Sequence, residues 1–114
     1  MSKPSAELTN AVIGRIYNEG GYAWRAASVG VFDSKRAHFR ASAKKGVSDV
    51  LACFKGRLIA IEIKIGTDKL SDEQTGFMRN IEHAGGSAMV ISDMEDFEKE
   101  WAKVIHIHTE LSTD

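Results

Sequence analysis

The sequence predicts an α/β fold, and three observations predict it. Segments with apolar residues every three to four positions are interleaved with short apolar or alternating runs. Residues 46–64 read as two apolar strands joined by a tight turn at Gly56. The helical segments carry start and stop signals: a proline or serine at the beginning, and paired glycines after two of them. The order is helix, strand, hairpin, helix, strand, helix.

Its 114 residues suit one domain, 1–114, built on one core. A hydrophobic fraction of 43% with 27% charged residues excludes a disordered chain. The formal net charge is -1, so any argument for nucleic acid must rest on local clustering of basic residues. The lone Cys53 rules out an internal disulfide framework and suits a reducing compartment. No run approaches a membrane span, and residues 1–4 lack the apolar segment of a secretory signal. The expectation is a cytoplasmic protein without a membrane partner or an organic cofactor.

The first helix is expected over residues 4–18. Pro4 suits a first helical position, Leu8, Val12 and Ile16 recur every four residues, and Gly20 and Gly21 stop it. Glu7 lies beside that stripe. It reads either as a first-turn carboxylate complementing the helix dipole or as an acid leaning towards a metal site. Residues 22–32 read as one strand, with Tyr22, Trp24, Ala26 and Ser28 on one face and Arg25 on the other. Residues 33–45 are the most basic stretch and read as a loop. They hold Lys35, Arg36, His38, Arg40, Lys44 and Lys45, with Phe39 among them and only Asp33 acidic. Such a loop is either a solvated charge run or a phosphate-contacting segment with an aromatic ring able to stack on a base.

After a polar loop, Ser71-Asp72-Glu73-Gln74 has the form of a capping box at a helix start. Gln74, Phe77, Met78, Ile81 and Ala84 follow on one face. The Gln74 side chain either closes that box or offers its amide to a metal-bound water or a phosphate. Gly85 and Gly86 end the helix, and residues 87–92 form a short apolar strand expected to run parallel to a neighbour. Ser92-Asp93-Met94-Glu95 reads as a second capping box, with Met94, Phe97 and Trp101 as the inner face of the last helix. Residues 104–108 alternate and read as an edge strand or tail. They place His106 and His108 on one side without a third ligand, and residues 109–114 are expected to fray.

The chemistry concentrates in the central hairpin. Asp49 stands where its first strand begins, and Glu62 and Lys64 stand near the end of the second. Residues two apart on a strand share a face, so Glu62 and Lys64 point one way and Ile61 and Ile63 the other. Charges in an apolar hairpin cost free energy unless each has a partner or a task. Two carboxylates with a lysine beside them suit a hard dication such as Mg²⁺, which needs only one or two protein carboxylates. The Lys64 charge is expected to favour the ionised forms of Asp49 and Glu62.

This ordered set resembles the PD-(D/E)xK nuclease superfamily. More narrowly, it is similar to the VRR-NUC family in the small stand-alone form known from phages and bacteria. The matching residues are Lys45-Gly46-Val47-Ser48-Asp49, Ile61-Glu62-Ile63-Lys64 and Leu70-Ser71-Asp72-Glu73-Gln74, within a likeness spanning roughly residues 7–101. One departure is visible: Ser48 stands where the family often has proline. The resemblance implies a restriction-endonuclease-like core, a mixed central β-sheet flanked by α-helices. It implies Mg²⁺ or Mn²⁺ held by Asp49, Glu62 and the Ile63 backbone carbonyl, with Glu7 as a further candidate. Lys64 becomes the lysine that positions or activates the attacking water, and Gln74 the motif glutamine near the site. The implied activity is metal-dependent endonucleolytic hydrolysis of DNA, selective for branched or junction structures in replication, repair or recombination, by a homodimer in the bacterial cytoplasm. Two other readings compete with it. One is a non-catalytic nucleic-acid-binding module retaining the nuclease fold. The other is a small structural α/β protein in which Asp49 pairs with Lys64.

Overall fold

In the computed structural model, which describes residues 4–26, 31–33, 38–40 and 46–111, the chain is a mixed α/β fold. Helix α1 spans Pro4–Asn18, α2 Asp72–His83 and α3 Met94–Leu111. Strands β1 (Tyr22–Arg25), β4 (Val50–Phe54), β5 (Arg57–Ile63) and β6 (Ser87–Ile91) form one sheet in the order β1-β4-β5-β6. The β1·β4 and β4·β5 pairs are antiparallel and β5·β6 is parallel, as a helical crossover through α2 requires. Strands β2 (Val31–Asp33) and β3 (His38–Arg40) pair with each other in a separate two-stranded sheet.

Alternation along the strands divides the sheet cleanly. Val50, Ala52, Ile59, Ile61 and Ile91 share one face and are fully buried there under α1 and α3. Val12 and Ile16 come from α1, and Phe97, Trp101 and Val104 from α3; all belong to this one core cluster. Fully burying each large side chain contributes about 1.5–3 kcal/mol. The opposite face carries Leu58, Ala60 and Glu62. Helix α2 covers only its β5–β6 half, through Met78. Tyr22 and Trp24, at the β1 end of that face, are exposed, with ring centroids 5.5 Å apart.

The hairpin turns on Lys55 and Gly56, with φ of 52° and 81°. Both central residues therefore take the left-handed conformation that matches strand twist in a two-residue turn. The register aligns Val50 with Ile61. One step further along the ladder, Asp49 lies opposite Glu62 on the α2 side of the sheet.

Several sequence expectations are corrected. The strand expected over residues 22–32 breaks after Arg25. Its ladder with β4 ends where Ala26 N–H donates to the Asp49 carbonyl at 3.0 Å, because β4 itself begins there. The next strand residues, β2, find their partner in β3 instead, so the stretch expected to be a loop over residues 33–45 contains a strand. Helix α3 is capped one residue later than expected. Asp93 Oδ1 accepts from Asp96 N–H at 2.7 Å, and Asp96 Oδ2 accepts from Ser92 N–H at 3.0 Å. Glu95, the expected box partner, instead faces Lys99 at 3.9 Å.

Residues 104–108 are helical, not an edge strand, and α3 continues to Leu111. Val104 is buried because it prolongs the stripe of Met94, Phe97 and Trp101 at helical spacing. His106 and His108 both fall on α3 and not on an edge strand. Ala84, placed on the inward stripe of α2, is exposed at its C-cap. Residues 112–114 lie outside the described residues. Among the described residues, no helix is long and apolar enough to cross a membrane.

Candidate active site

The site sits where β4 begins and β5 ends. Asp49 is fixed by both its backbone and its side chain: its carbonyl accepts from Ala26, and its Oδ2 accepts from Ile63 N–H at 2.8 Å. On a strand, one residue's N–H and C=O point to the same edge. The Ile63 carbonyl therefore also faces the Asp49 side, while Lys64 N–H continues the ladder to the Ile91 carbonyl at 3.0 Å.

Glu62 is 0% exposed. Its Oε1 accepts from Gln74 Nε2 at 3.1 Å. Gln74 is in turn held at the start of α2: its Oε1 accepts from Ser71 N–H at 2.9 Å, and its own N–H donates to Ser71 Oγ at 3.1 Å. The capping box expected from the sequence is present, and the amide nitrogen of the same side chain donates to the Glu62 carboxyl. Gln74 reaches Glu62 because Gly46 lets the chain before Asp49 pass against the first turn of α2. Gly46 has φ +78°, and a Cβ there would lie 2.2 Å from the Glu73 carbonyl oxygen.

The Glu62 carboxyl is pushed up to about 8, first by burial, then by the neighbouring Asp49 carboxyl. Lys64 and the Ser48 hydroxyl pull the other way without prevailing. Lys64 acts on Glu62 in the expected direction, but desolvation and a neighbouring carboxylate outweigh this one half-buried ammonium. Glu62 Oε2 receives no hydrogen bond from the protein, and neither does the buried Ser48 Oγ make one. An unpaired buried polar group of this kind costs about 1–3 kcal/mol.

Asp49, Ile63 and Lys64 line an open cleft of about 370 Å³, together with Ser5 and Thr9 of α1, Arg25 of β1 and Asp68. Arg25 Nη2 donates to Asn10 Oδ1 at 2.8 Å, which ties this cation to α1. Sequence reasoning gave Arg25 no role, because its place beside Asp49 depends on the β1·β4 register. Glu7 lies in the first turn of α1, exposed, and is not among the residues lining the cleft. Among the described residues, no group of three or more His, Cys, Asp and Glu side chains gathers at one point. Of the basic residues proposed to contact nucleic acid, His38 and Arg40 fall on β3. Lys35, Arg36, Lys44 and Lys45 lie outside the described residues.

The arrangement is therefore two facing carboxyls, one deeply buried and short of a hydrogen-bond donor, beside a lysine and an arginine on a polar cleft. A small dication fits the donor set: two carboxylates and a backbone carbonyl are hard oxygen ligands, and its charge would offset the repulsion that holds a proton on Glu62. No family model matches the chain, and no curated protein does.

Proposed function

We propose that this chain is a metal-dependent endonuclease that hydrolyses DNA phosphodiester bonds, with a restriction-endonuclease-like core of the PD-(D/E)xK type. The observation that carries the reading is the Asp49–Glu62 pair. Two carboxyls meet across adjacent strands, one of them fully buried with an oxygen lacking a donor. A purely structural protein gains nothing from that pairing. The element order supports the finer fold: one helix, an antiparallel run ending in Glu-x-Lys, a helical crossover and a parallel strand. The likeness to VRR-NUC nucleases rests on the same residues.

Asp49, Glu62 and the Ile63 carbonyl would hold Mg²⁺ or Mn²⁺. The ion, when bound, supplies Lewis acidity and lowers the pKa of water. The chain's own groups do the remaining work. Gln74 orients Glu62 from the α2 side, and the Ile63 N–H orients Asp49. Lys64, which lines the cleft, places a positive charge where a phosphate in the cleft gains negative charge during hydrolysis. Arg25, on the opposite wall, is suited to hold a phosphate oxygen. A homodimer would bring two such sites to the two strands of a branched or junction DNA.

Cleavage of a panel of plain, nicked, single-stranded and branched DNA, with and without Mn²⁺, tests the proposal. The wild-type protein should cut only with metal. Asp49→Ala and Lys64→Ala should lower the rate by about 10²-fold or more. Cutting at the wild-type rate by either folded variant contradicts it.

A further inference from the structure

Three exposed aromatic rings lie in a row that starts beside the site. Trp24 is paired with Leu51 across the β1·β4 ladder. Asp49, two residues before Leu51, is therefore its diagonal neighbour on the same sheet face, and such neighbours sit about 7–8 Å apart. Tyr22 follows, its ring centroid 5.5 Å from that of Trp24, and Tyr17 at the end of α1 follows in turn at 5.8 Å. Trp24, Tyr22 and Tyr17 are 39%, 60% and 48% exposed, whereas Phe97 and Trp101 are sealed in the core. We propose that this row is a stacking track for the unpaired bases of single-stranded DNA entering the cleft. The inference deepens the nuclease reading and rests on it for nucleic acid as the occupant. It names the substrate class: DNA with a single-stranded segment next to the cut.

The core does not need these rings. Ala23, between Tyr22 and Trp24, supplies the β1 contact to the core and is buried. The rings on either side of it point to the face that α2 leaves uncovered, beside Leu51, Cys53 and Leu58. A contiguous exposed patch of this kind marks a binding surface, where scattered single residues would not. Neither ring pair is stacked face to face: the interplanar angles are 41° and 90°, against 19° for Phe97 and Trp101 in the core. Ring faces are thus left for a flat partner, and every base has a π-face to offer. A duplex hides those faces, so the fit is to a single strand. Charge and position favour the same occupant. Arg25, the residue after Trp24, lines the cleft with Asp49 and Lys64, so a strand laid on the rings meets two cations as its backbone reaches the candidate ion. Over residues 22–25 and 49–63 the only acidic side chains are Asp49 and Glu62, at the site end. Glu19, near Tyr17, is paired with Arg15 at 2.7 Å. Little along the row therefore repels an anionic chain.

The test is binding of a fluorescein-labelled single-stranded DNA oligomer to the whole chain in EDTA, read by anisotropy, beside a duplex of the same length. Wild type, Trp24→Ala, Trp24→Phe and Tyr22→Ala are compared, with circular dichroism to check that each is folded. Trp24→Ala and Tyr22→Ala should each weaken single-strand binding about 10-fold or more. Trp24→Phe, which keeps a ring, should retain most of the affinity, and duplex binding should stay at the wild-type level throughout. Wild-type single-strand affinity in Trp24→Ala, or an equal loss on the duplex, overturns the track. So does a wild type that sediments as a dimer without DNA while Trp24→Ala sediments as a monomer, because the rings would then pack on a second copy. Mn²⁺-dependent cutting separates this inference from the nuclease reading. Single-strand binding through Trp24 without cutting of any substrate keeps the track and removes the nuclease. Cutting by a wild type that binds no single strand removes the track alone.

Discussion

Gln74 and Glu62 are joined by a 3.1 Å hydrogen bond from Nε2 to Oε1, and the same amide closes the cap of α2 through its other end. The two jobs separate on mutation. Ser71→Ala removes the capping oxygen and should cost about 1 kcal/mol, leaving the Glu62 contact in place. Gln74→Ala should cost a similar amount and also weaken Mn²⁺ affinity about 10-fold. Urea unfolding and Mn²⁺ titration on both variants check this; equal metal affinity in the two contradicts it.

The raised Glu62 pKa makes the metal-free protein less stable as pH rises. Glu62 titrates near 8 when folded, against an ordinary value of 4.5. Between those values the native state keeps a proton that the unfolded state has released. The stabilisation is therefore complete below about 4.5 and is lost as pH rises to about 8, by at most about 1.4 kcal/mol per pH unit. Urea unfolding at pH 5 and pH 8 should show this fall in the wild type and a flatter profile in Glu62→Gln. Mn²⁺ should bind more tightly as pH rises across the same window, because binding displaces the proton.

Gly46 should tolerate no side chain. Gly46→Ala would place a Cβ against the Glu73 carbonyl at a φ of +78°. The strained backbone costs about 1–3 kcal/mol, and the clash lifts the first turn of α2, carrying Gln74 away from Glu62. Gly56→Asn is the control. Its φ is +81° but nothing lies within 4 Å, so the cost should stay under about 1 kcal/mol. Denaturant midpoints of the two variants decide it, and a mild Gly46→Ala would contradict the wedge.

Much of this was legible from spacing alone. Period-two alternation put Ile59 and Ile61 on the core face and Glu62 on the other, and the Ser71–Gln74 box marked the start of α2, because both are local patterns. Three things were not local. The break of β1 after Arg25 depends on where its partner β4 begins, so neither the separate β2·β3 pair nor the place of Arg25 in the cleft could be read. The helical fate of residues 104–108 is set by Val104 packing under the sheet, which overrides a short alternating pattern. The charge state of Glu62 depends on burial, and a strand sequence does not show how deep its end lies.

Anomalous diffraction from a crystal soaked in Mn²⁺ tests the central claim most directly. A peak should lie within about 2.2 Å of an oxygen of both Asp49 and Glu62, with Lys64 beside it. Asp49 and Glu62 still in direct contact with each other, and no peak between them at saturating Mn²⁺, would contradict the proposed metal site and the activity built on it.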